Sequence, residues 1–268
     1  NEGVRPDEIA VLYRAHFHAL ELQMQLTHDK IPFVITSGIG FFEQAHIKDV
    51  LAVFRLMRNP GDELAFRRLV QQLPGVGPRT VDRIWERLGR SFPAVRSESR
   101  RALESLLPSK AIADWRRIAS GWEALEGGAS SAEALEIFVQ RFYRVYAQTH
   151  FDDPDRRLED IQETLRYMSK YDSLDAFLSE VALMTNLEAE EESTLLQETP
   201  RVRLCTVHQA KGLEWRVVII PWVVEGMFPS SRALADSPLA HEEERRLFYV
   251  AITRAKDEPE LAAYGETS

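Results

Sequence analysis

The chain has 268 residues, 44% hydrophobic and 28% charged, which is the balance of a globular protein with length for one large domain or two. No apolar run nears the roughly 18 residues of a membrane span, no basic-then-apolar leader is present, and the single Cys205 excludes a disulfide framework or zinc cluster, so a cytoplasmic protein is expected. The net charge of −9 disfavours nucleic acid overall, yet residues 61–110 carry a net +4 and residues 151–200 a net −10, so a local basic face survives in an acidic chain.

Residues 1–60 alternate strand and helix. Ile9–Tyr13 is a short apolar run of strand type, and Phe17–His28 has helical spacing. A second strand is predicted over Ile31–Thr36, then a turn at Gly38 and Gly40. A long amphipathic helix runs from Glu43 to Arg58 and is stopped by Asn59, Pro60 and Gly61. From residue 62 to about 186 the pattern is helical: Asp62–Leu73, Arg79–Leu88, Ser97–Leu107, Ser109–Leu125, Ser131–Ala147, Pro154–Lys170 and Ser173–Met184. Asp153 before Pro154 reads as an N-cap, and Ser130 with Glu133 has capping-box spacing. Leu187–Thr199, with Glu190, Glu191 and Glu192, reads as a solvated acidic linker. Strand grammar then returns at Val202–Thr206 and Val217–Val224, and a charged helix pattern runs to Thr253 and Arg254. Neither strand-bearing flank buries enough alone, so the economical fold is one α/β sheet domain interrupted by a helical insertion.

Four constellations carry chemistry. The loop after Val202–Thr206 brings Thr206, His208, Lys211, Gly212 and Glu214 to a sheet edge, with donors for phosphates of ATP or DNA and a carboxylate for a ribose hydroxyl; a polar loop with a satisfied histidine fits the same spacing. The run from Glu242 to Arg254 contains a favourable i,i+4 pair, Glu242 with Arg246, read as a helix-stabilising face. Arg254 emerges after the apolar run, as a finger on a phosphoryl group or as a surface arginine. Tyr13 and Arg14, just beyond a strand, suit a purine and its phosphate. Gly75 and Gly77 form a hairpin between two helices, and Arg79, Arg83 and Arg87 follow as one basic stripe, the arrangement of a helix-hairpin-helix element on duplex backbone; a tight helix–helix turn fits the same residues. Phe41 and Phe42 could stack on bases or pack the long helix on the sheet, while Trp85, Trp115, Trp122 and Tyr143 read as core.

Together these pieces resemble the UvrD/Rep/PcrA-type superfamily 1 DNA helicases. I-A-V-L-Y-R (9–14) looks like motif IV, and residues 38–60 look like the motif that follows it. Thr206–Glu214 with E-G-M-F-P (225–229) is similar to motif V, and E-E-E-R-R-L-F-Y-V-A-I-T-R-A (242–255) is similar to motif VI. The resemblance implies the carboxyl-terminal half of an ATP-dependent motor that moves 3′ to 5′. Its fold would be a RecA-like parallel-sheet lobe of the P-loop NTPase type, without the P-loop. Residues 1–60 and 200–268 would form this second RecA-like lobe and residues 61–199 a helical accessory domain inserted in it.

By the same resemblance Tyr13 stacks on adenine, Arg14 and Arg254 reach the γ-phosphate, and Gly212 and Glu214 line the nucleotide with Glu214 on the ribose. Thr206, His208 and Lys211 grip single-stranded DNA, with Phe41 and Phe42 along its track. The hairpin of Gly75, Gly77, Arg79, Thr80 and Arg83 touches duplex DNA at the fork. The implied cofactor is ATP with Mg²⁺, whose ligands belong to a first motor lobe that supplies the missing G-x-x-x-x-G-K-[ST]; this chain alone is expected to be inactive. Pro259 stands where the family's last strand should start. A different class remains open on the residues: a non-catalytic DNA-binding or protein-docking module that keeps the motor-lobe fold.

Overall fold

The computed structural model describes residues 3–14, 16–36, 41–193, 199–229, 238–256 and 260–261. Two compact units result, one formed by Asn1–Phe41 with Met184–Ser268 and the other by Phe42–Leu183. The expected turn at Gly38 and Gly40 lies outside the described residues.

The first unit is built on a parallel sheet. Its strands are β1 (Ile9–Tyr13), β2 (Phe33–Ile35), β3 (Val202–Thr206), β4 (Val217–Ile220) and β5 (Glu260–Leu261), in the order β2-β3-β1-β4-β5. Ala10 is opposite Arg203 and Tyr13 opposite Thr206, so the two distant flanks do share one sheet. Ile9 pairs with Val217 on the other side of β1. Successive side chains point to opposite faces of a strand, and the core divides accordingly. Ala10, Leu12, Cys205, Val218 and Ile220 face one cluster with Ala251 and Phe248 of α11 (Pro238–Ile252). Val11, Tyr13, Leu204 and Phe33 face the other with Leu22 and Leu26 of α1 (Leu20–His28). A sheet buried on both faces explains why its strands read as unbroken apolar runs. Cys205 is a free thiol inside this core, and burial pushes its pKa up to about 11, so it acts as a small hydrophobe. Pro259 lies outside the described residues; just beyond it, Glu260 and Leu261 of β5 pair with Ile219 and Ile220, so a strand forms there.

Among its described residues the second unit is helical: α2 (Ala45–Arg58), α3 (Glu63–Val70), α4 (Pro78–Arg87), α5 (Ser97–Leu106), α6 (Ile112–Glu126), α7 (Ser131–Phe138), α8 (Arg144–His150), α9 (Pro154–Met168) and the start of α10 (Leu174–Ser193). The expected caps are made. Asp62 accepts from the Ala65 amide, Ser130 and Glu133 close a capping box, and Asp153 caps α9 ahead of Pro154. The four residues read as core are buried, with Phe66, Trp85, Phe92, Trp115 and Trp122 in one aromatic nucleus of ring separations from 4.6 to 6.0 Å. No helix among the described residues is long and apolar enough to cross a membrane.

Three expectations change. Helix α2, placed with the first strand-rich segment, packs against α3, α7 and α9 instead, because its buried face carries Ile47, Val50, Leu51 and Phe54. The predicted Ser131–Ala147 helix is broken by a π-helical turn at Val139–Tyr143. The acidic stretch Glu190–Glu192 continues α10 to Ser193 rather than forming a linker, consistent with the good helix propensity of alanine and glutamate.

Polar groups are buried between these helices. Asp49 accepts from the Tyr143 hydroxyl at 2.7 Å and from Arg68 at 2.8 Å. His46, fully buried, lies 3.1 Å through Nε2 from Asp160 of α9, whose backbone carbonyl accepts from Thr164. Burial pushes the His46 pKa down, with Arg157 adding to the shift, while Asp160 and, less strongly, Asp49 oppose it. The folded state therefore binds fewer protons at His46 than the unfolded chain, and its contribution is intact above the ordinary imidazole value near 6.5 and lost as pH falls below it. Urea midpoints of the wild type should drop from about pH 7 to about pH 5. His46→Gln, which keeps a donor for Asp160, should flatten that drop.

Candidate functional site

The loop between β3 and β4 is shaped by its first turn. The ladder runs one residue past β3, the Val207 amide donating to Tyr13 O at 3.0 Å. Thr206 then closes a tight turn: its hydroxyl and amide both donate to the Gln209 side-chain oxygen, at 3.0 and 3.2 Å. Thr206 is buried, so this hydroxyl holds the loop and does not face outward, against the expectation that it grips a strand of DNA. His208 and Lys211 are exposed, and they line a cleft of about 530 Å³ with Glu242, Glu243, Arg246, Leu247 and Val250 of α11. Arg246 was read as the helix partner of Glu242; instead Glu242 pairs with Arg245 at 3.5 Å and Arg246 faces this cleft.

The other end of the loop is tied to the end of α11. Gly212 adopts φ +86°, a left-handed conformation that only glycine takes readily, and leaves Leu213 and Glu214 at the surface. Arg254 donates to Leu213 O at 3.2 Å, to Val250 O at 3.1 Å and to the Thr253 hydroxyl at 3.1 Å. Backbone bonds lock the contact: the Trp215 amide donates to Arg254 O at 3.0 Å and the Lys256 amide to Trp215 O at 2.8 Å. Two segments forty residues apart are therefore joined where Arg254 meets the backbone of Leu213 and Trp215, the neighbours of Glu214.

Arg14 is elsewhere. The alternation that turns Tyr13 into the α1 cluster sends Arg14 to the α11 side, where its Nε donates to Glu244 Oε1 at 2.8 Å. Glu244 is 3% exposed and sits ten residues before Arg254, roughly 15 Å along the helix axis. Arg254 thus meets the loop on either side of Glu214, and Arg14 is held at the middle of α11. Glu244 was hidden in a charged run, yet it shares an i, i+3, i+4, i+7 stripe with Leu247, Phe248 and Ala251, which is the signal of an inward face. Tyr13 is 0% exposed, and Phe41 and Phe42 are 1% and 2% exposed, so none offers an open face for stacking. Tyr13 fills the sheet core, and Phe42 packs edge-on against Phe177 at 6.4 Å.

In the second unit α3 and α4 flank the glycine hairpin. Gly75 has φ +75°, Gly77 is the N-cap of α4 with no side chain to cap it, and Pro78 follows at the first helical position. Arg79, Arg83 and Arg87 are exposed along α4, Thr80 is half-buried with its amide on Gly77 O at 2.9 Å, and Asp82 is taken by Arg67. Among the described residues no group of three or more His, Cys, Asp or Glu is disposed to hold a metal ion.

Replacing Arg14 by alanine removes a guanidinium from a carboxylate that is almost fully buried. Chemical denaturation should show a loss of about 2 kcal/mol for Arg14→Ala, and less when Glu244→Gln is combined with it.

The profile of the UvrD-like helicase C-terminal domain matches residues 2–93 and 109–262. DNA helicase II of Haemophilus influenzae is 33% identical over 268 aligned residues, covering 95% of this chain and 36% of that protein. DNA helicase II of Escherichia coli is 33% identical, covering 97% and 37%, and the ATP-dependent DNA helicase PcrA of Bacillus subtilis is 31% identical, covering 94% and 36%. The chain spans little more than a third of the length of these relatives. The profile match covers most of the chain, and the chain belongs to the UvrD-like helicase C-terminal domain family.

Proposed function

We propose that this chain is the carboxyl-terminal part of an ATP-dependent DNA helicase that moves 3′ to 5′, acting with a first motor lobe that carries the phosphate loop and the Mg²⁺ ligands. The observation that carries this reading is the junction of Gly212, Glu214 and Arg254, locked by backbone bonds between the β3–β4 loop and the end of α11. A nucleotide held against this surface would meet a carboxylate suited to ribose hydroxyls and an arginine suited to the charge of a transferring phosphoryl group. In this reading ATP with Mg²⁺ is a shared cofactor, with Glu214 and Arg254 as this chain's contribution and the Mg²⁺ ligands on the first motor lobe. Arg14 would join the triphosphate from its seat on Glu244. Tyr13, enclosed in the core, is not assigned the adenine.

In this reading residues 1–60 and 200–268 make the second RecA-like lobe and 61–199 the accessory domain, with α2 moved to the helical side by its packing. His208 and Lys211 face single-stranded DNA from the exposed part of the loop, and Thr206 acts through the turn it holds. The hairpin of Gly75 and Gly77, with Arg79, Thr80 and Arg83, meets the duplex ahead of the fork. DNA helicase II and PcrA are what the relatives are called, and that supports the same substrate and nucleotide here.

In a protein that joins this chain to its first motor lobe, Arg254→Ala should reduce DNA-stimulated ATP hydrolysis about a thousandfold while nucleotide binding persists. Hydrolysis at the wild-type rate would remove the finger assignment. For the hairpin, Arg79→Glu with Arg83→Glu should weaken duplex binding and flatten its dependence on salt in a fluorescence-anisotropy titration. Unchanged affinity would reduce the hairpin to a structural turn.

A further inference from the structure

The sequence stripe of Arg79, Arg83 and Arg87 does not exhaust the charge at the hairpin. A β-carbon placed on Gly75 would fall 1.9 Å from Lys110 Cε and 2.6 Å from its Nζ. The Lys110 side chain therefore lies across the bare face of Gly75, although it comes from a short 3₁₀ turn, Ser109–Ala111, ahead of α6. Gly75 is constrained by its positive φ, and the exposed end of the Lys110 side chain rests in the space beside it.

Lys110 is exposed and has no acidic partner among the described residues, whereas the nearby Arg117 is engaged by Asp114 at 2.8 Å. Its ammonium is not consumed by the fold. Gly77, two residues on, has no heavy atom within 4 Å of the position a β-carbon would take, so the approach to the turn is open beside the lysine. An unpaired point charge held by its stem over an open glycine turn suits a phosphate oxygen.

We propose that Lys110 is a further DNA-contacting residue, delivering its ammonium to the phosphodiester that the Gly75–Gly77 hairpin receives from duplex DNA. This rests on the reading of the hairpin as a duplex contact. It adds to that reading a cation supplied from outside the helix-hairpin-helix segment. The contact is to the backbone, so it is independent of base sequence.

The test uses the 268-residue chain, a blunt-ended duplex of mixed sequence and a single strand of the same length, titrated over a range of salt. Lys110→Met keeps the stem and removes the charge. It should weaken duplex binding several-fold at low salt and make the slope of log K against log salt shallower by about 0.9. Lys110→Arg should retain the slope, single-strand affinity should not change, and thermal unfolding should be unaltered because the replaced group is exposed. A wild-type slope for Lys110→Met, alongside weakened binding by the Arg79→Glu and Arg83→Glu variant, would overturn the role of Lys110 alone. If neither variant affects duplex binding, the hairpin reading fails and Lys110 falls with it. Equal losses on single strand and duplex would overturn the duplex assignment.

Discussion

Parallel pairing of β1 with β3 is the constraint on which the rest of the first unit depends. It joins residues 10–13 to residues 203–206, with more than two thirds of the chain between them. Parallel strands cannot be connected by a tight turn, and a long crossover is required in any case. Here the crossover passes through an entire helical unit. Once β1 and β3 are in register, everything placed just beyond their carboxyl ends becomes neighbouring: Arg14 after one strand, the Thr206 turn after the other. A one-residue slip of β1 against β3 would exchange Leu12 for Tyr13 on the α11 face and would turn Arg14 away from Glu244.

Helix α11 converts that register into a site. Its inward stripe of Glu244, Leu247, Phe248 and Ala251 seats it on the sheet, the helix holds Arg14 at its middle through Glu244, and Arg254 follows just beyond its carboxyl end. A buried carboxylate is costly unless paired. Glu244 therefore acts less as a surface charge than as a fixed anchor for an arginine. The three oxygens around Arg254 do the complementary job, aligning a long flexible side chain before any ligand arrives. Such preorganisation reduces the entropy lost on binding.

The helical unit shows the same economy with glycine. Gly121 in α6 allows the backbone of α7 so close that a β-carbon would lie 2.5 Å from Ala134 O, and Gly75 leaves its space to Lys110. In both places the missing side chain is filled by a neighbour from another part of the chain. Buried Asp49, His46 and Asp160 fix how α2 meets α3 and α9, since each polar contact is satisfied in one arrangement of the helices.

Periodicity alone placed the strands Ile9–Tyr13 and Val202–Thr206, the caps at Ser130 and Asp153, the stop at Asn59 and Pro60, and the buried tryptophans, because these depend on local geometry and on the bulk of single residues. The placing of Gly212 and Glu214 in a loop after a strand and of Arg254 just past a helix end was also legible, since that spacing is written in the chain. Their being locked together was not, nor was the burial of Tyr13, Phe41, Phe42 and Thr206. An aromatic ring suits a base and a core equally well, and only the face on which a strand or turn presents it decides between them. Glu244 with Arg14, Arg246 in its cleft and Lys110 over Gly75 each join residues through space that no local pattern links. Sequence therefore determined which elements form and what chemistry each carries. Tertiary structure decided which side chains meet, because strand register and helix seating set the distances and the burial that turn a residue type into a partner.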